Sequence, residues 1–175
     1  LAGTSFPTDR HLTAELLGFD SPPANAMDAV SDRDFAVEFL AASALGAVHM
    51  SRLAEEIVIW CSDGFKFISL SDAFTTGSSI MPQKRNPVPL EHLRLKLSLA
   101  GGGADQIVQT MHNTPFADMN DSERETQAAG FDVFDRLDHA LPLLASFVEA
   151  METNQDSISQ RIQKSMATIT ELADT

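Results

Sequence analysis

Residues 89–111 read PLEHLRLKLSLAGGGADQIVQTM, and their apolar side chains recur at alternating steps of three and four residues. This spacing aligns them along one side of an α-helix. Gly101-Gly102-Gly103 lowers helix stability without shifting the register, so it predicts a closely packed neighbouring helix rather than a phosphate-binding loop. The predicted buried seam comprises Leu90, Leu93, Leu97, Ala100, Ala104, Ile107 and Met111.

Two further long helices show the same spacing. The pairs Ser31/Asp34 and Ser122/Glu125 form capping-box patterns that predict helix starts. The first of these helices reaches about residue 61, and Pro142 predicts a kink in the second. The predicted seams are Phe35, Phe39, Ala42, Gly46, His49, Leu53, Ile57 and Trp60 in the first helix, with His49 and Trp60 as packing residues, and Phe134, Leu137, Leu141, Leu144, Val148 and Met151 in the second.

These seams predict an all-α fold, a long-helix bundle with nearly aligned axes. Three helices of this length do not close a core alone, so the bundle is expected to continue across the subunits of an oligomer. The remaining sequence predicts a short helix ending at Leu17, loops at 19–30, 71–88 and 112–121, a short extended piece at 65–68, and a weakly helical tail from residue 154.

Composition excludes several function classes. The 175 residues carry 12 Lys and Arg against 25 Asp and Glu, a net charge of −13, which argues against nucleic-acid and anionic-membrane binding. No apolar run approaches a membrane span, no secretory signal opens the chain, and the single Cys61 favours a reducing compartment, so a cytoplasmic location is expected. The chain begins without Met and ends abruptly, which suggests a piece of a longer protein.

No metal site is expected. The acidic cluster at residues 118–125 lacks the glycine and the bidentate acid of a calcium loop, and His92 and His139 have no metal-ligand spacing.

The loop at 71–88 concentrates polar chemistry. Its central part, residues 75–87, reads TTGSSIMPQKRNP and combines hydroxyls, a glycine and two cations. Backbone N–H groups around Ser78 could form an anion-binding nest, and Lys84 and Arg85 supply positive charge in an acidic chain. This pattern favours a carboxylate or phosphate ligand. The alternative is an ordinary solvated polar loop.

Residues 77–87, GSSIMPQKRNP, resemble the signature loop of the fumarase/aspartase superfamily, and residues 80–87 are most similar to its argininosuccinate lyase/δ-crystallin branch. Residues 3–7, 28–35, 51–56 and 171–174 resemble the same branch. The resemblance implies that residues 1–150 are part of a central helical-bundle domain carrying the signature loop 71–88, and that 151–175 begin a small C-terminal helical domain. It also implies an interior-to-C-terminal fragment, which lacks an upstream Thr-His pair and would be inactive alone.

The implied chemistry is an anti β-elimination by a carbon–nitrogen lyase, which releases fumarate from a small anionic N-succinyl substrate such as argininosuccinate. In the family the residue matching Ser78 is the base, and its weakly acidic hydroxyl needs nearby cations and N–H groups to favour the alkoxide. Lys84 would supply that charge and help hold a carboxylate. Asn86 and the loop amides near Ser79 and Met81 would bind the substrate anion.

Two residues outside the loop are implied in the site. The residue matching Glu91 orients an active-site His from another subunit, although a carboxylate in a first helical turn is also favoured by the helix dipole. Arg33 matches a substrate-binding position, and its alternative interpretation is a first-turn surface arginine.

Three positions depart from the argininosuccinate branch. A Tyr, a Gln and a Lys that contact the arginine-bearing part of the substrate stand here as Phe116, Asp121 and Arg124, and the chain contains no Tyr. These three belong to the predicted substrate-binding set, but the changed polarity leaves the substrate open. Another N-succinyl compound or an aminopolycarboxylate is the alternative.

The resemblance also implies a homotetramer with each site built from three subunits, no cofactor and no metal, and a place in arginine biosynthesis. Adenylosuccinate cleavage and carboxymuconate cycloisomerisation are disfavoured by Gln83, because the branches with those activities tend to have His or Tyr at this position. A non-catalytic, crystallin-like structural member remains the alternative outside enzymes.

Overall fold

The computed structural model describes residues 3–166 and residue 169. Its helices are α1 Arg10–Leu17, α2 Ala26–Ser31, α3 Asp34–Cys61, α4 Val88–Met111, α5 Glu123–Ala150 and α6 Gln155–Lys164. Four two-residue strands and one 3₁₀ turn complete it: β1 Ile68–Ser69, the 3₁₀ turn Asp72–Phe74, β2 Thr76–Gly77, β3 Arg85–Asn86 and β4 Glu152–Thr153. The predicted all-α long-helix fold is confirmed.

The central helix is α4, which packs along both α3 and α5, whereas α3 and α5 touch each other little. Its predicted seam is confirmed. The six seam residues from Leu90 to Ile107 are all buried, and the seventh, Met111, is half-buried. The three glycines continue the helix. A Cβ on Gly103 would stand 2.6 Å from the Val133 Cγ2 of α5, so the predicted close helix approach occurs there.

The predicted seams of α3 and α5 are largely wrong. In α3 the buried residues are Leu40, Ala47, Ala54 and Ile57, and in α5 they are Thr126, Ala129, Val133, Ala140, Leu144 and Phe147. Phe35 is 72% exposed and His49 is also exposed, whereas Trp60 is half-buried against the core. Both helices carry two apolar stripes at helical spacing, and periodicity does not indicate which stripe faces α4. In both helices the stripe that contains the alanines faces α4, because small side chains let the helix axes approach each other.

Neither predicted capping box forms its hydrogen bonds, although Ser122 is the N-cap of α5 and the helix start predicted there is confirmed. Ser31 ends the short helix α2, which begins inside the predicted loop at 19–30, and the Asp32 carboxylate accepts a hydrogen bond from the Asp34 amide at 2.8 Å. At α5 the Ser122 side chain makes no capping bond, and its carbonyl instead accepts from the Thr126 hydroxyl at 2.7 Å. Six residues are too few for α2 to show a period.

The chain after α3 returns to the bundle through β1, which pairs antiparallel with β4. Of the extended piece predicted at 65–68 only Ile68 lies in a strand, and Lys66 adopts a left-handed conformation with φ 51°. The helical tail is confirmed as α6, while residues 171–174 lie outside the described part of the chain. The domain boundary near residue 150 and the kink at Pro142 stay predictions. Within the described residues, no helix has the length and hydropathy needed to cross a bilayer.

Candidate active site

The signature loop forms a hairpin. Its arms β2 and β3 pair antiparallel, with Thr76 opposite Asn86 and Gly77 opposite Arg85. Residues 78–84, the hairpin tip, therefore project from a ladder of only two residue pairs. The hairpin runs directly into α4, so its position relative to the bundle is set by the start of that helix.

The hydroxyl of Ser78 accepts two backbone hydrogen bonds. The amides of Ile80 and Met81 donate to Ser78 Oγ at 3.3 Å and 3.2 Å. Two N–H groups directed at one oxygen favour negative charge on it, so this turn lowers the free energy of a serine alkoxide. Sequence reasoning missed Ile80, whose amide is in the turn while its side chain is 89% exposed. The substrate-facing roles of the amides near Ser79 and Met81 stay predictions.

A cavity of about 680 Å³ lies beside the hairpin tip and brings together four of the predicted site residues. Its walls are the loop, the first turn of α4 and the end of α3. The predicted residues in its lining are Met81, Lys84, Asn86 and Glu91.

The cations of this cavity differ in their partners. Lys66 Nζ lies 3.1 Å from Asp63 Oδ1, and Arg85 Nε lies 2.8 Å from Asp72 Oδ1. Among the residues that the structure describes, Lys84 is in no ion pair. Among the described residues that line this cavity, its ammonium is therefore the cation free to meet an anionic ligand.

Cys61 lines the same cavity from the end of α3. Burial raises the pKa of the Cys61 thiol, because the thiolate loses hydration there. The thiol therefore stays protonated at neutral pH.

The other predicted residues lie at the opposite end of the bundle. Arg33 and Phe116 line a second cavity of about 280 Å³ between the start of α3 and the end of α4. The Arg33 Nη1 donates to the carbonyls of Val30 and Asp32, both at 2.8 Å, so in this structure the guanidinium closes the α2–α3 turn. Phe116 is 75% exposed.

Acidic groups surround Arg33. The neighbouring Asp32 carboxylate raises the pKa of Asp34 through charge repulsion and a side-chain hydrogen bond. Asp121 and Arg124 are exposed where α5 begins. Arg33 shares its cavity with Asp28, Asp32 and Asp34, and these carboxylates would compete with a substrate anion for its guanidinium.

One chain does not join these two groups of residues. Glu91 in the first cavity and Met111 in the second are 20 residues apart on α4, which is about 30 Å of α-helix. The structure thus brings Ser78, Lys84, Asn86 and Glu91 to one end and Arg33, Phe116, Asp121 and Arg124 to the other. Within the described residues, no three His, Cys, Asp or Glu side chains are grouped to hold a metal ion.

Curated relatives match almost the whole chain. It is 47% identical over 174 residues to the argininosuccinate lyase of Jannaschia sp. (strain CCS1) and 48% identical to that of Chelativorans sp. (strain BNC1). Each match covers 99% of this chain but only 36% and 37% of the relatives. The chain therefore spans about a third of their length.

Solved structures share the fold. EDDS lyase in complex with formate superposes with a TM-score of 0.80 at 29% identity, covering 99% of this chain and 34% of that one. The class II fumarase of Schistosoma mansoni gives 0.77 at 20% identity, covering 91% and 36%, which shows the fold alone. A family model described as Lyase matches residues 1–102, more than half of the chain. The chain belongs to this lyase family, and its helical bundle is the fold that these lyase and fumarase structures have in common.

Proposed function

We propose that the whole protein is an argininosuccinate lyase-like carbon–nitrogen lyase that releases fumarate from an N-succinyl substrate. The observation that carries the proposal is the turn in which the Ile80 and Met81 amides donate to Ser78 Oγ. The relatives named argininosuccinate lyase and the EDDS lyase structure support the same reaction class. No step of the proposed elimination requires a cofactor.

In the proposed reaction the Ser78 alkoxide takes the proton from the carbon next to a substrate carboxylate. The electron pair of that C–H bond enters the carboxylate and forms a doubly charged aci-carboxylate. Lys84 and Asn86, which line the cavity beside the tip, stabilise this charge. The pair then forms the C=C bond of fumarate, while the C–N bond breaks and the nitrogen leaves with its electrons. A proton donor outside this chain completes the amine.

The complete site is proposed to form between subunits of a homotetramer. About 30 Å separates the Ser78 end from the Arg33 end of one chain, so a single site needs the two ends from different copies. Exposed aromatic side chains on α3 and α5, among them Phe35 and Phe131, support a bundle that continues into partner subunits. Glu91 is proposed to orient a histidine of another subunit.

Argininosuccinate is the first substrate proposed, because the relatives at 47% and 48% identity carry that name. The second candidate is another N-succinyl compound or an aminopolycarboxylate. It is favoured by Phe116, Asp121 and Arg124, which change the polarity of the pocket that would hold the rest of the substrate, and by the EDDS lyase likeness. Cleavage of argininosuccinate would place the protein in arginine biosynthesis, in the reducing cytoplasm that a single cysteine favours.

The test is a substrate panel. The whole protein is incubated with argininosuccinate and with a series of N-succinyl amines and aminopolycarboxylates, and fumarate is followed by its ultraviolet absorbance. Fumarate from argininosuccinate supports the first substrate, and fumarate from another compound alone supports the second. If a correctly assembled protein releases none from any of them, the lyase proposal fails and the crystallin-like structural reading takes its place.

A further inference from the structure

We propose that Asp72 and Arg85 are positioning residues that hold the hairpin tip in the shape in which the Ile80 and Met81 amides point at Ser78 Oγ. The sequence does not single out Asp72, and it indicates Arg85 only as one of two cations for an anionic ligand, not as a residue that shapes the loop. The catalytic consequence rests on the proposed function, whereas the effect on the shape of the tip does not.

The Arg85 guanidinium bonds to three parts of the loop at once. Its Nε donates to Asp72 Oδ1 at 2.8 Å, and its Nη1 donates to the carbonyls of Pro82 at 2.8 Å and Lys84 at 3.3 Å. The planar arginine fork fixes these acceptors relative to one another, which a lysine ammonium with freely turning donors does not do. Arg85 therefore ties the β3 arm and the hairpin tip to the 3₁₀ turn that precedes β2.

The bonds continue from Arg85 to the serine. The Lys84 amide donates to the Met81 carbonyl at 3.0 Å, and the Met81 amide donates to Ser78 Oγ at 3.2 Å. A shift of the Pro82 and Lys84 carbonyls would therefore move the peptide that carries the Met81 donor.

Asp72 anchors this chain of contacts to the bundle. It begins the 3₁₀ turn whose last residue, Phe74, packs edge-on against Phe147 with ring centroids 4.8 Å apart. Phe147 is fully buried in α5. The ion pair thus connects a hairpin held by only two ladder pairs to a 3₁₀ turn that packs on the core.

The pair does not serve global stability. The Arg85 and Asp72 side chains are 48% and 83% exposed, and ion pairs at such exposure contribute little to the free energy of unfolding. Three bonds from one exposed side chain instead restrict a local shape. We therefore expect changes in this pair to affect the loop far more than the melting temperature.

The experiment compares variants in the whole protein. Arg85→Met removes every donor, Arg85→Lys keeps only the charge, and Asp72→Asn keeps an acceptor oxygen without the charge. The matched control is Asp132→Asn, which breaks the Asp132–Arg136 pair on α5 in the same way and lies in neither cavity described above. Each variant is examined by hydrogen-exchange mass spectrometry at short labelling times, for the peptide covering residues 78–84, and by kcat and KM for fumarate release.

The expected result is faster exchange at residues 78–84 in Arg85→Met, with kcat reduced about tenfold to a hundredfold and a smaller change in KM, because misplacing a reacting group by about 1 Å costs up to that much. Arg85→Lys and Asp72→Asn should lie between this variant and the native protein, and Asp132→Asn should match the native protein. If Arg85→Met does not fold, the two conservative variants carry the comparison.

Unchanged exchange together with unchanged kcat would overturn the proposal. So would a raised KM with unchanged exchange and kcat, because that result makes Arg85 a substrate-binding residue. If the native protein releases no fumarate from any substrate, the function proposal fails on its own, and the exchange measurement still decides whether Asp72 and Arg85 shape the tip.

Discussion

Ser78 follows β2 directly, and its oxygen accepts hydrogen bonds from the amides of Ile80 and Met81. Local sequence explains much of this arrangement. A short hydroxyl side chain readily accepts amides two and three residues ahead, and the small Gly77 and Ser79 flank it. The sequence therefore predicts the chemistry of the tip. It does not predict the Asp72–Arg85 pair, because 13 residues of irregular backbone separate the partners and no period relates them.

Cys61 permits a test of the electrostatics of the cavity. Burial raises its pKa, and Lys66 and Lys84 line the same cavity. Alkylation of Cys61 by iodoacetamide, followed against pH by mass spectrometry of its peptide, should show a midpoint above that of a free cysteine in a short reference peptide. A midpoint at or below the reference would mean that Lys66 and Lys84 dominate the environment of the thiol.

At the scale of the elements, the residues of α3 and α5 that are buried are those on the side of each helix that packs against α4. The seam of α4 is predictable because its longest apolar stripe is the one that packs against α3 and α5, whereas the other large apolar residues of this helix, such as Leu95 and Leu99, are few and exposed. The stripes of α3 and α5 were not, since each helix presents a second stripe of large side chains, such as Phe39 and Phe134, which stack on each other at 4.7 Å near the surface. Small α2 was missed because its start depends on Asn25, whose side chain accepts two amides.

The glycine triplet of α4 provides a matched pair of substitutions. Gly103→Ala would place a methyl group 2.6 Å from Val133 Cγ2, a fully buried and rigid side chain, so we expect it to lower the free energy of unfolding by about 1–3 kcal/mol. Gly102→Ala meets nothing within 4 Å and should raise it by up to about 1 kcal/mol, because alanine favours the helix. Urea unfolding of the whole protein measures both. Equal effects of the two substitutions would contradict the close packing of α4 on α5.

At the scale of the whole molecule, the predicted site residues divide between the two ends of the bundle. The loop end carries the residues proposed for the elimination, and the Arg33 end carries the positions where this sequence departs from the argininosuccinate branch. Sequence reasoning identified both sets but placed neither relative to the other, because a helix of 24 residues converts a modest separation in sequence into about 30 Å in space.

The division between ends predicts complementation between inactive subunits. Ser78→Ala and Arg33→Ala proteins are each expected to release little fumarate, whereas oligomers reassembled from a mixture of the two should regain activity. Some of their sites would join an intact loop to an intact Arg33 end. A mixture of Ser78→Ala with Lys84→Ala is the matched control and should stay inactive, since both changes lie in one hairpin tip. Mixed oligomers, verified by native mass spectrometry, that show no recovery would contradict a site shared between subunits.

The most direct test of the account is the rate of fumarate release by the whole protein after Ser78→Ala, with Ser98→Ala beside it. Ser98 is an exposed serine of α4 whose hydroxyl donates to the Arg94 carbonyl at 3.0 Å, so its loss controls for removing a hydroxyl. We expect Ser78→Ala to reduce kcat by about 10²–10⁴-fold, the range that a positioned base contributes, while the assembly and the Ser98→Ala rate stay unchanged. A Ser78→Ala protein that releases fumarate at the native rate would contradict the assignment of this serine, and with it the proposed chemistry of the loop.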